Sequence, residues 1–366
     1  MNYEPLMERA IRLARKAEGH TGHYPMVGAV LLKNNKIIAE GYFKHPGEPH
    51  AERKAILAAG RNAAGATLIL NLEPCCHFGR TPPCTDIVIS SGIKKVVAGM
   101  TDPNPLVSGK GFRKLRTAGI KVVNHVLEKE CRVLNRHFIK FMTTRTPWVI
   151  EKLAATADGR LADRWGNSKW ISSEESRALV HKLRSHVQVV MVGIGTVLQD
   201  DPKLTARTPG ASHQPRPLIV DERLQIPLSA KVLKTPAQGG AIIACTDSAS
   251  AIKRDRLERL GATVVVTRPD KNKQVNLKEL MKKLGAMNIA SLLIEGGSHL
   301  AGAMLEQDLV DEVMYFYAPK LLADGKALPM LSGALPRKIT NPIALCEPAM
   351  KKSGPDFVLN AYLREI

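Results

Sequence analysis

The chain has 366 residues, of which 44% are apolar and 24% are charged. This composition excludes a disordered or fibrous protein, and the length favours two domains because single cores stop growing near about 250–300 residues. The 53 Lys and Arg against 34 Asp and Glu leave a formal net charge of +19. Such an excess favours an anionic partner: nucleic acid, a membrane surface or a phosphorylated small molecule.

The N-terminal segment, residues 1–18, carries apolar residues at helical spacing and several glutamates. This pattern predicts an amphipathic core helix rather than a signal peptide. No stretch reaches the roughly 18 apolar residues that a membrane-spanning helix requires. The six cysteines are too sparse for a disulfide scaffold, so we expect them to be reduced and the protein to be cytoplasmic.

Strand and helix patterns alternate through the first third of the chain. The apolar runs Val27–Leu32 and Ile37–Gly41 flank Asn34-Asn35, which predicts a hairpin. Further elements are expected as helices at residues 51–59, from Cys84 and at 111–118, and as strands at 66–71, 96–99 and 120–123. This order is typical of an α/β sheet covered on both faces.

The basic, Thr-rich segment Arg136–Pro147 is interpreted as a domain boundary, which divides the chain into domains 1–145 and 146–366. A second α/β pattern begins at Trp148–Ala154. The helix predicted at Ser172–Arg184 opens with serines and glutamates that suit a helix N-terminus. Further strands are predicted at 187–192, 218–220, 241–244, 264–267, 292–295 and 313–318, with helices at 252–260, 277–284 and 300–307.

The most specific pattern is His50-Ala51-Glu52, followed by Glu73-Pro74-Cys75 and then Cys84. This is the H-x-E … P-C … C arrangement of zinc-dependent deaminases. Two thiolates and one neutral imidazole balance the charge of Zn²⁺ and leave a fourth position for water, whose pKa the metal lowers. Glu52 follows a ligand by two residues and can move the proton of that water. A closed zinc knuckle using Cys76 or His77 is the competing interpretation.

Two glycine-containing segments follow predicted strands in the second domain. Val192-Gly193-Ile194-Gly195-Thr196 and Glu295-Gly296-Gly297-Ser298 each allow backbone to approach a dinucleotide phosphate. Neither is the G-x-G-x-x-G fingerprint. Strand-end glycines used only for packing explain each segment equally well, although two in one domain favour a dinucleotide site.

The motifs together resemble the bifunctional deaminase–reductase family of riboflavin biosynthesis, in the family's order over nearly the whole chain. In the first domain the resemblance is carried by 47–52 (GEPHAE), 72–75 (LEPC), 79–84 (GRTPPC), 102–105 (DPNP) and 109–111 (GKG). In the second domain it is carried by 158–160 (DGR), 168–171 (SKWI), 181–184 (HKLR), 192–197 (VGIGTV), 200–202 (DDP), 204–205 (LT), Arg207, 295–297 (EGG) and 318–320 (APK).

The resemblance implies an α/β fold: a cytidine-deaminase-like α/β/α domain followed by a dihydrofolate-reductase-like α/β domain. It implies Zn²⁺ on His50, Cys75 and Cys84, with Glu52 as the catalytic proton shuttle. The first domain would remove the 2-amino group of a diaminopyrimidinone that bears a ribosylamino 5′-phosphate, and the second would reduce the ribosyl chain to ribityl with NADPH. A homodimer or homotetramer is expected from the resemblance alone, with no nucleic-acid or membrane partner.

By motif position, the resemblance also implies reductase site residues. Those for NADPH are Ala154, Trp170, Thr196, Asp200 and the Gly297–Ala303 loop (Gly297, Ser298, His299, Leu300, Ala301, Gly302 and Ala303), and those for substrate are Ser168, Arg184, Leu204, Arg207 and Glu295. Without that role, Trp170 would be a core aromatic residue, and Arg184 and Arg207 would be solvated surface charges. Arginine suits a substrate phosphate because its planar fork binds two oxygens.

Three residues depart from the family pattern near the metal motif. Tyr24 replaces an Asn, Phe43 replaces a His, and Arg53 replaces a Val. Tyr24 and Phe43 stand where the family is expected to contact the pyrimidine or its sugar phosphate. Either compensating side chains keep the same substrate, or the deaminase half is impaired or accepts a different ring.

Two further hypotheses come from other classes of protein. A nucleic-acid deaminase fits the zinc motif and the net charge of +12 in residues 1–146, where 23 Lys and Arg face 11 Asp and Glu. Aromatic residues make up only 4% of the chain, which is few for stacking bases. A zinc-stabilised binding module without activity is the second hypothesis.

Overall fold

The computed structural model describes residues 2–79, 81–209 and 213–366. They form two compact units, one extending to Arg145 together with Ile366 and the other comprising Thr146–Glu365. Within the described residues, no helix combines the length and the apolar character needed to cross a membrane.

The first unit alternates helices with short strands. Its elements are α1 (Glu4–Arg15), β1 (Gly28–Lys33), β2 (Lys36–Tyr42), α2 (Ala51–Ala59), a short 3₁₀ turn (Gly60–Ala63), β3 (Thr67–Leu70), α3 (Cys84–Ser90), β4 (Lys95–Ala98), α4 (Lys110–Thr117), β5 (Lys121–Val123), α5 (Glu128–Leu134) and α6 (Arg136–Thr144).

The strands of the first unit form one sheet in the order β2-β1-β3-β4-β5. β1 pairs antiparallel with β2 and β3, whereas β3, β4 and β5 are parallel. The predicted hairpin is confirmed, with Asn34 and Asn35 at φ 50° and 59° as a tight two-residue turn requires. Consecutive residues of β1, β3 and β4 are buried, so both faces of the sheet are covered.

Helix α1 lies directly on β1. Its buried residues Met7, Ala10, Ile11 and Ala14 are those that the helical spacing predicted. A Cβ atom on Gly28 would lie 2.0 Å from the carbonyl oxygen of Ala10, so glycine is required for this approach.

The second unit is built around a larger sheet. Its elements are β6 (Trp148–Thr156), β7 (Arg160–Ala162), α7 (Glu174–His186), β8 (Val189–Gly193), α8 (Ile194–Asp200), β9 (Arg216–Val220), a 3₁₀ turn (Lys231–Lys234), β10 (Ile242–Thr246), α9 (Ala251–Arg259), β11 (Thr263–Thr267), α10 (Leu277–Ala286), β12 (Ser291–Glu295), α11 (Ser298–Glu306), β13 (Glu312–Ala318), β14 (Leu328–Pro329), β15 (Cys346–Ser353) and β16 (Asp356–Tyr362).

The main sheet has the order β11-β10-β9-β8-β12-β6-β13-β16-β15, and β14 pairs separately with β7. The strands from β11 to β13 are parallel, and β16 and β15 add an antiparallel edge. β8 and β12 are therefore neighbours that end at the same edge of the sheet. This is where ligands bind in open α/β sheets.

The mixed α/β fold class is confirmed. The predicted boundary segment Arg136–Pro147 contains the division between the two units, after Arg145, although most of it is helix α6 with Phe138 and Phe141 buried. Two local expectations differ from the structure. The segment after β8 is a helix from Ile194 onward, and Ser298 begins helix α11 where a loop to Ala303 was expected. Ser173 confirms the predicted N-terminus of α7, because its hydroxyl accepts the N–H of Ser176.

A buried carboxyl in β6 makes the stability of the second unit dependent on pH. Glu151 is fully buried, and its Oε1 accepts the Tyr315 hydroxyl at 2.6 Å. Burial raises its pKa from 4.5 to about 7, against the opposing effect of the Tyr315 hydrogen bond. The native state therefore retains a proton that the unfolded chain releases, and stability falls as pH rises from about 4.5 through 7.

We predict that Glu151→Gln removes this dependence. Relative to the wild type, the variant should gain stability as pH rises from 5 to 8, by on the order of 3 kcal/mol at most. Urea unfolding followed by tryptophan fluorescence measures this, because all three Trp (Trp148, Trp165 and Trp170) lie in the second unit. The exposed Glu258→Gln is the control, and a difference between Glu151→Gln and wild type that did not change with pH would contradict the prediction.

Candidate functional site

Three potential metal ligands meet at the ends of two helices of the first unit. His50 immediately precedes α2, Cys84 is the first residue of α3, and Cys75 lies in the loop after β3. The His50 Nδ1 atom is 3.7 Å from the Sγ of Cys75 and 3.2 Å from the Sγ of Cys84. All three ligand atoms lie within 4.8 Å of one another.

The chemistry of these donors fits zinc. Hydrogen bonds from the Cys84 thiol and the His50 ring, together with the Cys84 backbone N–H, lower the pKa of Cys75 to about 4 against the effect of burial. Donation of its proton to Cys75, reinforced by burial, raises the pKa of Cys84. A ready thiolate beside a second thiol and an imidazole is a suitable donor set for Zn²⁺.

Glu52 stands beside this cluster in the first turn of α2. Its side chain is buried, and Oε2 has no hydrogen-bond partner among the described residues. Burial raises the pKa of Glu52, so the carboxyl can hold a proton more readily than a solvated glutamate. The buried carboxyl thus lies next to the candidate metal ligands, and its role as a proton shuttle stays a prediction.

The metal cluster opens into a cavity of about 570 Å³ whose lining includes His50, Cys75 and Glu52. This argues against the closed-knuckle interpretation. Cys76 points elsewhere, since its thiol donates to the carbonyl of Leu106 at 3.8 Å, whereas His77 lines the cavity and lies outside the three-residue cluster.

Two of the three departures from the family pattern line this cavity. Phe43 packs edge-on against His50, with ring centroids 5.4 Å apart, and Tyr24 packs against Phe43 at 6.2 Å. The third, Arg53, is absent from the described lining. The substitutions at positions 24 and 43 therefore change the wall that faces any substrate, while the metal ligands remain in place.

The structure places two acidic residues at the site that the sequence analysis had not assigned to it. Asp102 lines the cavity, and burial raises its pKa to about 7. Glu73 is buried and accepts backbone N–H groups of Asp102, Gly109 and Phe112 at 3.1, 2.9 and 3.1 Å. Both occur in motifs that carried the resemblance, but a motif does not reveal whether a carboxylate contacts backbone or ligand.

Buried amides fix the aromatic wall. Asn71 accepts the N–H of Gly28 and donates to the carbonyl of Met26, and Asn135 accepts the N–H of Met26 and donates to the same carbonyl. The chain from Tyr24 to β1 is thus held between residues that follow β3 and precede α6. Sequence spacing alone does not indicate this arrangement, because the partners are separated by 43 to 109 residues.

In the second unit, two predicted substrate residues form a buried ion pair. The Nε and Nη2 atoms of Arg184 donate to the two carboxylate oxygens of Glu295 at 2.5 and 2.7 Å, and Nη1 donates to the carbonyl of Thr205. The interpretation of Arg184 as a solvated charge is wrong, whereas Arg207 is exposed nearby. Leu204 is buried with φ 54°, so its side chain belongs to the core.

The two glycine segments come together at the shared edge of β8 and β12. A Cβ atom on Gly296 or Gly297 would lie 3.8 or 4.0 Å from the Thr196 hydroxyl, and both glycines have positive φ. The segment with Ser168 and Trp170 approaches the other end of α8, where Lys169 Nζ lies 3.9 Å from the terminal Asp200. Trp170 is 67% exposed, so its interpretation as a core aromatic is wrong.

The remaining NADPH residues are unevenly placed. Ala301 and Gly302 are buried, and a Cβ on Gly302 would lie 2.3 Å from the Ser332 carbonyl, so these two face the protein interior. Ser298 is also buried and bonds Ser332. Gly297, His299, Leu300 and Ala303 retain exposure, while Ala154 in β6 packs against the buried cluster of Val180, Phe316 and Val358.

Comparison with known proteins gives the class of each unit. Residues 1–100 match the model of the cytidine and deoxycytidylate deaminase zinc-binding region, and residues 147–359 match the RibD C-terminal domain. The fold and the His-Cys-Cys site therefore define a zinc-binding deaminase domain joined to a reductase domain.

Relatives match over nearly the full chain. The riboflavin biosynthesis protein RibD of Actinobacillus pleuropneumoniae is 42% identical, over 97% of this chain and 93% of its own. The structure of Acinetobacter baumannii RibD is 34% identical with a TM-score of 0.89, covering 99% and 98% of the two chains. A Thermotoga maritima diaminohydroxyphosphoribosylaminopyrimidine deaminase/5-amino-6-(5-phosphoribosylamino)uracil reductase is 36% identical with a TM-score of 0.83, covering 98% of each.

The chain belongs to the RibD family, the bifunctional deaminase and reductase enzymes of riboflavin biosynthesis. Its predicted enzyme class and pathway are confirmed. Membership of this family favours the riboflavin-pathway enzyme over a nucleic-acid deaminase or an inactive binding module.

We predict that Glu73→Gln loosens the metal site. The amide would place a donor against backbone N–H groups that now share a carboxylate, which should cost about 2–3 kcal/mol. Faster amide exchange in residues 71–112 and weaker zinc retention under chelation would show this. The exposed Glu8→Gln, paired only within α1, is the control. If amide hydrogens of the Glu73→Gln variant exchanged at the wild-type rate, the prediction would be contradicted.

Proposed function

We propose that residues 1–145 hydrolyse the 2-amino group of 2,5-diamino-6-ribosylamino-4(3H)-pyrimidinone 5′-phosphate, and that residues 146–366 reduce the ribosyl chain of the product to ribityl. The observation that carries the first step is the buried Glu52 carboxyl beside His50, Cys75 and Cys84 at a cavity wall. The names of full-length relatives support the substrate and the second step.

In the deaminase half, His50, Cys75 and Cys84 would hold the metal. When bound, zinc supplies a water acidic enough to lose its proton near neutral pH. Glu52 would accept that proton and deliver it to the ring nitrogen beside the reacting carbon. It would then move the remaining hydroxyl proton to the 2-amino nitrogen, so that C=O forms, the C–N bond breaks and ammonia leaves. Its raised pKa and its unpartnered Oε2 suit a group that must take up a proton and release it in one turnover.

In the reductase half, we assign the substrate to the edge where β12 ends. Glu295, Arg184, Leu204, Arg207 and Ser168 are the proposed substrate contacts. The Arg184–Glu295 pair is already complete, so Arg184 would hold Glu295 in position, and the exposed Arg207 is the better placed to bind the substrate phosphate. Leu204 would contribute through its backbone, since its side chain is buried.

NADPH would lie at the same edge, where it supplies a hydride when bound. Thr196 and Gly297, which approach each other closely, and the exposed His299 would receive its phosphates, and Asp200 and Trp170 are further proposed contacts. Ala154, Leu300 and Ala303 complete the proposed contacts. Ser298, Ala301 and Gly302 would act only through backbone or packing, because they are buried.

The phosphorylated substrate and NADPH account for part of the net charge of +19. We further propose a homodimer or homotetramer and a cytoplasmic location. The family resemblance supports the first, and the sparse cysteines, free in the described structure, support the second.

We predict that Glu52→Gln abolishes deamination and leaves the zinc and the fold in place. Loss of a general acid–base group should lower the rate by about 10²–10⁴-fold. Zinc-loaded protein is assayed for ammonia release and, separately, for NADPH oxidation with the deaminated intermediate. Glu40→Gln, which lies outside the cavity and pairs with Arg9, is the control. Undiminished ammonia release by Glu52→Gln would refute this role.

We predict that the wild type, despite Tyr24 and Phe43, deaminates the pyrimidine phosphate at an ordinary enzymatic rate. The double variant Tyr24→Asn with Phe43→His should then change kcat/KM by less than about tenfold. Near-zero ammonia release by a wild type that still oxidises NADPH with the deaminated intermediate, with recovery in the double variant, would show instead that the deaminase half is impaired or re-targeted.

A further inference from the structure

A continuous row of five rings runs along the deaminase cavity; four of them line the cavity, and the fifth, Phe141, is buried behind it. Neighbouring ring centroids lie 5.4, 6.2, 4.3 and 5.5 Å apart along the row, and a guanidinium lies 5.4 Å from the last ring. In order from the metal cluster, the ring row consists of His50, Phe43, Tyr24, His23 and Phe141, and Arg145 lies over Phe141. The row thus joins a metal ligand to a permanent cation within one unit.

The described lining of this cavity contains four carboxyls and one guanidinium. The carboxyls are those of Glu48, Glu52, Glu73 and Asp102, of which the last three are buried. Arg145 is the one Lys or Arg among the described residues that line the cavity. A phosphate dianion is attracted by a guanidinium and gains nothing from a carboxyl, so Arg145 is the favourable partner for it among the described lining side chains.

The position of Arg145 suits an anion-binding role. It terminates helix α6 in the left-handed region, at φ 55° and ψ 32°, and its backbone N–H bonds the carbonyl of Phe141. Phe141 is fully buried, so the ring beneath the guanidinium is fixed. The described part of the chain offers no carboxylate within ion-pair distance of Arg145, which leaves its fork of donors available to phosphate oxygens.

We propose that Arg145 binds the 5′-phosphate of the deaminase substrate, with the pyrimidine at the His50 end of the ring row and the sugar along Tyr24 and His23. The inference rests on the proposed deaminase function. It also explains how the chain functions with Tyr24 and Phe43 in place of polar residues. The wall contributes apolar and aromatic contact, and the phosphate is recognised by a cation supplied from α6.

The test compares Arg145→Gln with a closely matched control. Arg116 is also exposed and also lies over a buried ring, 5.9 Å from that of Phe112, but it is absent from the described cavity lining. Ammonia release is measured on zinc-loaded full-length protein without NADPH, so that the reductase half does not act. The substrates are the pyrimidine 5′-phosphate and the same compound without its phosphate.

For Arg145→Gln, KM for the phosphorylated substrate should rise about tenfold with kcat nearly unchanged, since one hydrogen-bonded charge contact is lost. KM for the dephosphorylated compound should stay constant, and Arg145→Lys should recover much of the loss. Raising salt from 50 to 500 mM should weaken binding of the phosphorylated substrate to the wild type more than to Arg145→Gln. Arg116→Gln should match the wild type throughout.

Three results would overturn the proposal. If Arg145→Gln and Arg116→Gln had equal KM values while the wild type released ammonia, Arg145 would have no role and the proposed function would stand. An equal rise in KM for both substrates would make Arg145 a structural residue. A wild type that released no ammonia from either compound would overturn the proposed deaminase function, and this inference with it.

Discussion

The buried carboxylate of Glu73 is the interaction on which the deaminase site depends. Glu73 stands two residues before the ligand Cys75. Its carboxylate accepts hydrogen bonds from backbone N–H groups of the loop after β4 and of the start of α4. The approach is close enough that a Cβ on Gly111 would lie 2.3 Å from the carbonyl of Pro74. A charge buried in this way is stable only because several donors satisfy it, so loop and helix must keep their places.

With that loop held, the two helix N-termini bring the ligands together. His50 and Cys84 open α2 and α3, where backbone N–H groups and the helix dipole favour a negative charge. The Cys84 N–H bonds the Cys75 sulfur, and the pKa of Cys75 falls accordingly. The candidate metal site therefore lies at the sheet edge that also supports Glu73. Glu52 is held beside it because it lies in the first turn of α2, two residues after His50.

In the second unit, the parallel sheet brings the candidate cofactor-binding residues together. Because β8 and β12 are adjacent and run the same way, Thr196 and Gly297 meet although a hundred residues separate them. The Arg184–Glu295 pair at the end of β12 shows how an apparent pair of ligand residues can be satisfied internally. Charge counts in the sequence cannot distinguish these two uses of an arginine, since they depend on which carboxylate folds beside it.

The sequence by itself determined the candidate metal site, the position of Glu52, the α/β class and most helices and strands, because these depend on local spacing. His50 and Glu52 are two residues apart, Cys75 and Cys84 are nine apart, and apolar residues recur at helical or strand period. Only the tertiary structure decided the cavity wall. Helix α6, which composition marked only as a domain boundary, brings Phe138, Met142 and Arg145 to a cavity whose lining begins at His23, more than a hundred positions earlier. Such contacts between distant segments arise from packing of the whole sheet, and no local pattern records them.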